Sequence, residues 1–169
     1  MCARRAKNRR TGDQGMNPDK ERTLVIVKPD GVQRGLIGEV VSRLERRGLK
    51  IVGVKMLKMD AGLAAKHYEA HVGKPFYEPL AKFMTSSPVV AVAAQGRGAV
   101  RLVRNMMGAL SPEESAAGTI RGDFAVSKRY NVVHGSDSPE SGEREVSLFF
   151  SPDEIFDYDR DIDNWLRQE

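Results

Sequence analysis

The sequence predicts an α+β protein: a βαββαβ sandwich with helices packed on a four-stranded antiparallel sheet. Three observations carry this expectation. Residues 23–28 (TLVIVK) are a short β-branched apolar run that breaks at Pro29-Asp30-Gly31, as a buried strand entering a turn does. Ile37, Val40, Val41 and Leu44 then recur at i, i+3, i+4 and i+7 with Glu39, Arg43 and Arg46 among them, the spacing of an amphipathic helix, and Gly48 stands where its C-cap belongs. Residues 88–94 (PVVAVAA) read as another buried strand.

The remaining elements follow in order. Residues 49–59 form a long strand, and 61–72 with 76–84 a helical hairpin whose second member presents Leu80, Phe83 and Met84 as its apolar stripe. A helix over about 97–107 sets Val100, Val103 and Met107 on one face and Arg97, Arg101 and Arg104 on another. Residues 124–127 are the expected last strand and 140–150 a late helix. That alternation is the ferredoxin-like arrangement of a sheet with helices packed on it.

Composition narrows the class. A hydrophobic share of 40% and a charged share of 30% over 169 residues suit one enzyme-sized domain with a real core. No apolar run approaches the ~20 residues that span a bilayer. Cys2 is the only cysteine, so no disulfide can close within the chain, and with no secretory h-region a cytoplasmic setting is expected. The sequence pI of 9.3 invites a nucleic-acid partner, but residues 1–22 carry seven basic and three acidic side chains and the rest is balanced. The basicity belongs to a leader, residues 1–20, poor in apolar side chains and expected to be disordered, within which Met16 is an alternative start; residues 21–169 form the domain. No nucleic acid is needed for activity on this reading.

Three histidines are the first place to look for chemistry, because imidazole titrates near neutrality and can serve as base, ligand or nucleophile. His67 and His71 share a helix face four residues apart, but Tyr68 stands where the metalloprotease pattern needs Glu, so an ordinary helix face is the expectation. His134 lies in NVVHGSDS, between an edge strand and a polar loop, where Gly135 allows a ligand's close approach and Ser136 and Glu145 can hold one tautomer. Asp157, Asp159 and Asp161 imitate the start of a calcium loop, but Ile162 and Gln168 occupy the positions that need Gly and Glu. Glycines 31, 35 and 38 match neither the dinucleotide nor the Walker spacing, so side chains must bind any phosphate.

Several segments together resemble the nucleoside diphosphate kinase family: residues 27–39 (VKPDGVQRGLIGE), His67-Tyr68, 74–76 (KPF), 118–124 (GTIRGDF) and 131–138 (NVVHGSDS). The resemblance runs from about Glu21 to Trp165. It implies that His134 accepts the γ-phosphoryl group of ATP or another nucleoside triphosphate on Nδ1 and passes it to a nucleoside diphosphate, with Glu145 and Ser136 orienting the ring. Lys28, Tyr68 and Asn131 would surround the phosphoryl group and ribose, Arg104 and Arg121 would bind phosphates, and Phe76 would stack on the base. Mg²⁺ would be held mainly by the phosphates, with no direct protein ligand. Two positions depart from the family pattern: Leu110 replaces the usual Thr on the β-phosphate, and Lys128 replaces a small apolar residue near the base. The resemblance also implies a homo-hexamer, with a tetramer as the alternative. The rivals are a single-strand nucleic-acid module on the same sandwich, disfavoured by the neutral domain, and a family member that has lost catalysis.

Overall fold

The computed structural model describes residues 20–166. The leader, apart from Lys20, lies outside the described residues. The chain opens with β1 (Arg22–Val27) and runs into α1 (Pro29–Gln33) and α2 (Ile37–Arg46). β2 (Lys50–Leu57) follows, then α3 (Ala61–His67), a 3-10 turn (Glu69–His71) and α4 (Tyr77–Met84). β3 (Val89–Gln95), α5 (Ala99–Met107) and α6 (Ile120–Phe124) lead to β4 (Val133–Gly135), and α7 (Pro139–Phe149) and α8 (Asp163–Leu166) complete the order.

All pairings are antiparallel and the strand order is β2-β3-β1-β4, so the expected four-stranded α+β sandwich is present. Helices cover both faces of the sheet. Side chains alternate across a strand, and accordingly Leu24 and Ile26 join Tyr68, Phe83, Val146 and Phe149 on the face packed by α3, α4 and α7. Val25 and Val27 join Val40, Leu44, Val103 and Met107 on the face packed by α2 and α5. β3 is buried almost throughout, and its three alanines keep both helix layers close. Gly142 serves the same end in α7, since a Cβ there would stand 2.3 Å from the Arg22 carbonyl oxygen of β1.

Three expectations need correction. Residues 124–127 are not a strand: Thr119 caps α6 by accepting from the Gly122 amide, Phe124 closes that helix, and the amides of Val126 and Ser127 both turn onto the Tyr130 carbonyl. The last strand is β4, which contains His134. The helix expected over 61–72 stops at His67 and tightens into the 3-10 turn, and Pro29-Asp30-Gly31 is the first turn of α1, with proline at the position where its missing amide costs nothing. The C-terminal acids are not a calcium loop. Asp157 pairs with Lys20 at 2.7 Å, while the Tyr158 hydroxyl donates to the Ile51 carbonyl and ties the tail along β2.

Candidate active site

Register on β4 aims the central histidine. His134 stands opposite Ile26, so its side chain emerges on the face of Leu24, Ile26 and Tyr68, while Val133 turns to the α5 face. There its Nε2 lies 3.1 Å from Glu145 Oε2 on α7. The Ser136 hydroxyl donates to the same carboxylate oxygen at 2.7 Å and accepts from the Leu24 amide, which locks the carboxylate to the sheet. Burial raises the Glu145 pKa, but the hydrogen bonds and charge of His134 and the bond from Ser136 outweigh it, and the net is below the usual carboxylate value. An ionised Glu145 can only accept, so the proton sits on Nε2 and the Nδ1 lone pair is free. The His134 side chain is 22% exposed, enough for a ligand to reach.

A cationic floor adjoins the histidine. Lys28, at the end of β1, is buried and donates to Asn131 Oδ1 at 2.6 Å. Burial, then the neighbouring Arg121 charge, lower its pKa to about 8. Asn131 is itself fully buried, its amide nitrogen donating to the Lys128 carbonyl at 3.0 Å. Arg121 donates to the Val133 carbonyl at 3.0 Å, while its Nε has no partner among the described residues. Burial and the charge of Arg104 bring its pKa down to about 10. These cations have no acidic partner within ion-pair reach among the described residues, a state that an anionic ligand would relieve.

Between floor and histidine the backbone is strained. Val132 has φ +70°, unfavourable for a β-branched residue, and the Val133 amide reaches back to the Asn131 carbonyl at 2.7 Å. Two contacts fix this reversal: the Val132 amide donates to Asp30 Oδ2 at 3.0 Å, and the Lys28 amide donates to the Val132 carbonyl at 2.8 Å. The kink lets Asn131 face Lys28 while His134, three residues on, enters the sheet. Neither Asp30 nor Val132 was singled out by the sequence, since only the φ angle and the α1 position reveal them.

The rim is looser. Tyr68 is buried with its hydroxyl unpartnered among the described residues, its ring centroid 6.4 Å from that of His134, and burial followed by the Glu145 charge pushes its pKa up, keeping the phenol neutral. Phe76 is 51% exposed, with His71 edge-on to it at 5.3 Å and the Lys74 ammonium 6.0 Å from its ring. Arg104, Leu110 and Lys128 are exposed. The structure thus forms two bonded groups, His134 with Glu145 and Ser136, and Lys28 with Asn131, with Arg121 held on the Val133 carbonyl and the Tyr68 ring edge-on to His134. Phe76, Arg104 and Leu110 stand around them without side-chain hydrogen bonds among the described residues.

Other expectations change. Gly135 serves packing: a Cβ there would lie 2.5 Å from Met107 Sδ of α5. His67 is no ordinary helix-face residue, for it is buried with its ring 4.6 Å from that of His134. The sequence placed it on a helix, but depth below the surface is a tertiary property.

The comparisons agree with this geometry. The nucleoside diphosphate kinase family model matches residues 21–155. The nucleoside diphosphate kinase of Pelotomaculum thermopropionicum is 54% identical over 146 residues, 86% of this chain and 98% of that protein. That of Pyrococcus furiosus is 55% identical over 152 residues, 88% and 94% respectively. Among solved structures, a halophilic nucleoside diphosphate kinase from Halobacterium salinarum in complex with CDP superposes with a TM-score of 0.86 at 50% identity, covering 88% of this chain and 99% of its own. The chain belongs to the nucleoside diphosphate kinase family and is a phosphotransferase of that kind.

Proposed function

We propose that His134 carries the phosphoryl group in a ping-pong exchange between nucleoside triphosphates and diphosphates, with ATP as the donor. The observation that supports this best is the imidazole itself: Nε2 is tied to Glu145, which leaves Nδ1 free, while Arg121 is bonded to the carbonyl of Val133, the residue before His134, and Lys28 to Asn131 three residues before it. Nδ1 attacks the γ-phosphorus, the bond to the β,γ-bridging oxygen breaks, and the diphosphate leaves with that electron pair. The positive charge left on the phosphorylated ring is offset by Glu145. In the second half, a terminal oxygen of an incoming diphosphate attacks the phosphorus and the lone pair returns to Nδ1.

The transition state is loose and spreads charge over three oxygens, so fixed cations matter more than proton transfer. Lys28 and Arg121 meet that need from buried positions, with Asn131 aiming Lys28 and the neutral Tyr68 hydroxyl available to a phosphoryl oxygen. Arg104 reaches the phosphates from the rim, and Phe76 offers a ring face that reads no base edge, which favours broad base acceptance. Leu110 leaves the β-phosphate without a hydroxyl at its position.

Members of this family act on nucleotides with a divalent cation, for which we propose Mg²⁺. The donor set fits an ion that arrives on the nucleotide: Glu145 is engaged by His134 and Ser136, Asp30 is held through Oδ2 by the Val132 amide with its Oδ1 buried away from solvent, and Lys28 and Arg121 are cations. When bound, the ion neutralises phosphate charge. We also propose a homo-hexamer, with a tetramer as the alternative. It is supported by apolar surface at Val54 and Met56 on edge strand β2 and at Phe156 and Trp165, all more than half exposed. Among the described residues no helix is long and apolar enough to cross a membrane, and we propose a cytoplasmic location.

Incubation with γ-labelled ATP tests the mechanism. An acid-labile, base-stable protein phosphate, lost in His134→Ala, is expected; label that persists in that variant, or nucleotide exchange without it, rejects it. Sedimentation velocity tests the assembly.

A further inference from the structure

His67 is an anomaly that phosphoryl transfer leaves unexplained. It is 4% exposed, and neither ring nitrogen has a hydrogen-bond partner among the described residues. Burying an unpaired polar group is unfavourable, a cost that an apolar side chain of similar size would avoid. Its ring meets Tyr68, His134 and Phe149 edge-on at centroid distances of 4.5, 4.6 and 5.3 Å. Packing alone therefore sets its orientation, and one of its ring nitrogens lies within 4.8 Å of ligand atoms of His134 and Glu145.

We propose that His67, His134 and Glu145 form a site for a borderline-soft divalent cation of the Zn²⁺ class, distinct from the ion carried by the nucleotide, and that its occupation blocks phosphoryl acceptance by His134. One ligand atom from each of the three residues lies within 4.8 Å of the others, and His134 Nε2 and Glu145 Oε2 are already 3.1 Å apart. Zinc bonds of about 2.0–2.2 Å at tetrahedral angles require ligand separations of about 3.3 Å. That pair is in place, and the widest pair must close by at most about 1.5 Å, within reach of a rotation of the unbonded His67 ring. Two imidazoles and one carboxylate are a donor set that suits zinc. Mg²⁺ prefers oxygen and would not compete for it.

The protonation states favour capture. Burial, followed by the His134 charge, brings the His67 pKa down to about 3, so the ring offers a lone pair without deprotonation, and Glu145 is ionised. Binding through Nε2 therefore moves the single His134 ring proton to Nδ1, with no net release to solvent. The metal occupies the Nε2 lone pair and the proton occupies that of Nδ1, and the Glu145 hydrogen bond is lost, so the ring has no nitrogen free to attack phosphorus. Lys28 and Arg144 face the same space and set the upper bound on affinity by repulsion. The binding claim stands on geometry alone, and the blocking claim rests on His134 being the nucleophile.

The test uses the full chain with Co²⁺ as a spectroscopic stand-in and Zn²⁺ in calorimetry, both in excess Mg²⁺. Wild type should give the visible absorption of tetrahedral Co²⁺ at one ion per chain, take up Zn²⁺ without net proton release, and lose phosphoenzyme formation as the site fills. His67→Phe, and His67→Leu should Phe disturb folding, should weaken binding by more than about 100-fold, beyond the loss on removing a supporting residue, and should form phosphoenzyme whether Zn²⁺ is present or not. Tetrahedral Co²⁺ absorption that survives both substitutions overturns the site, as does its absence in wild type, which a bridging water beside His67 would produce. Zn²⁺ bound through His67 with phosphoenzyme formation intact overturns the block. Wild type that forms no phosphoenzyme even without Zn²⁺ indicts the proposed function instead, and the absorption still decides the site.

Discussion

Lys28, Asn131, Arg121 and His134 on one side of the site, and Phe76, Arg104 and Leu110 on the other, would meet the same nucleotide, but different forces position them. The first set is hydrogen-bonded and anchored to β1, β4 and α6, buried except for a part-exposed His134, with a strained Val132 fixed by Asp30 among them. The second is exposed on a helix flank and two loops, where little but local backbone fixes it. Positions enforced by a core can hold charges in geometries they would not choose, which is how catalytic electrostatics are preorganised. Positions set by loops can adapt to different bases, at the price of precision. Substitutions in the buried half should therefore change the chemical step, with the charge of Lys28 changing phosphate binding as well, and those at the rim should change affinity alone.

The sharpest division is expected at His134. His134→Ala should abolish phosphoenzyme and turnover while moving the unfolding midpoint by only about 2–4 °C, the equivalent of roughly 1 kcal/mol in a chain of this size. Scanning calorimetry alongside a coupled nucleotide assay would show it, and residual turnover above background would place the nucleophile elsewhere.

Glu145→Gln comes next. The amide still fills the space but neither fixes the Nε2–H tautomer nor offsets the charge of the phosphorylated ring. A fall of about 10–100-fold in kcat with KM little changed is expected from steady-state kinetics. The pH dependence has a definite sign. The folded carboxyl lies below its ordinary 4.5, so its stabilising contribution is complete above that pH and lost as pH falls through the folded value. The Gln variant should lose stability less steeply over that acid window; parallel acid unfolding curves would show that Glu145 is not held as described.

Lys28 gives a smaller effect on the alkaline side. With its folded pKa at about 8, the free protein sheds this charge as pH climbs through that value, so KM for the triphosphate should rise by up to about tenfold per pH unit. Lys28→Arg should flatten the profile. Stability moves in the opposite direction. The folded chain releases this proton before the unfolded chain, whose value is near 10.5, so wild type should gain stability between about pH 8 and 10.5. A KM profile identical in wild type and Lys28→Arg would remove Lys28 from phosphate binding.

At the rim the effects should be least. Leu110→Thr should lower KM for diphosphates by no more than about tenfold with kcat unchanged, the pattern of a contact made equally in ground and transition states. Ser111 offers no substitute hydroxyl, because it is buried and bonded to Glu113, so Ser111→Ala should leave KM alone. A larger KM change for Ser111→Ala than for Leu110→Thr would reverse that assignment.

The residue order alone carried the sheet, its flanking helices and the cluster of segments that identifies the family, because period-two and period-3.6 apolar patterns and short motifs are local properties of a chain. It placed Lys28 at a strand end and located Glu145 on a late helix. It misplaced the last strand, since the apolar stretch at residues 124–127 has strand-like composition and only the capping of α6 and the turn onto Tyr130 divert its backbone bonds. Register decided the rest. That His134 lies opposite Ile26 follows from pairing with a strand more than a hundred residues earlier, and this puts His67, Tyr68 and Glu145 around it. The strain at Val132, its anchoring by Asp30 and the burial of His67 likewise have no local signature, because each depends on which distant groups the core brings within contact.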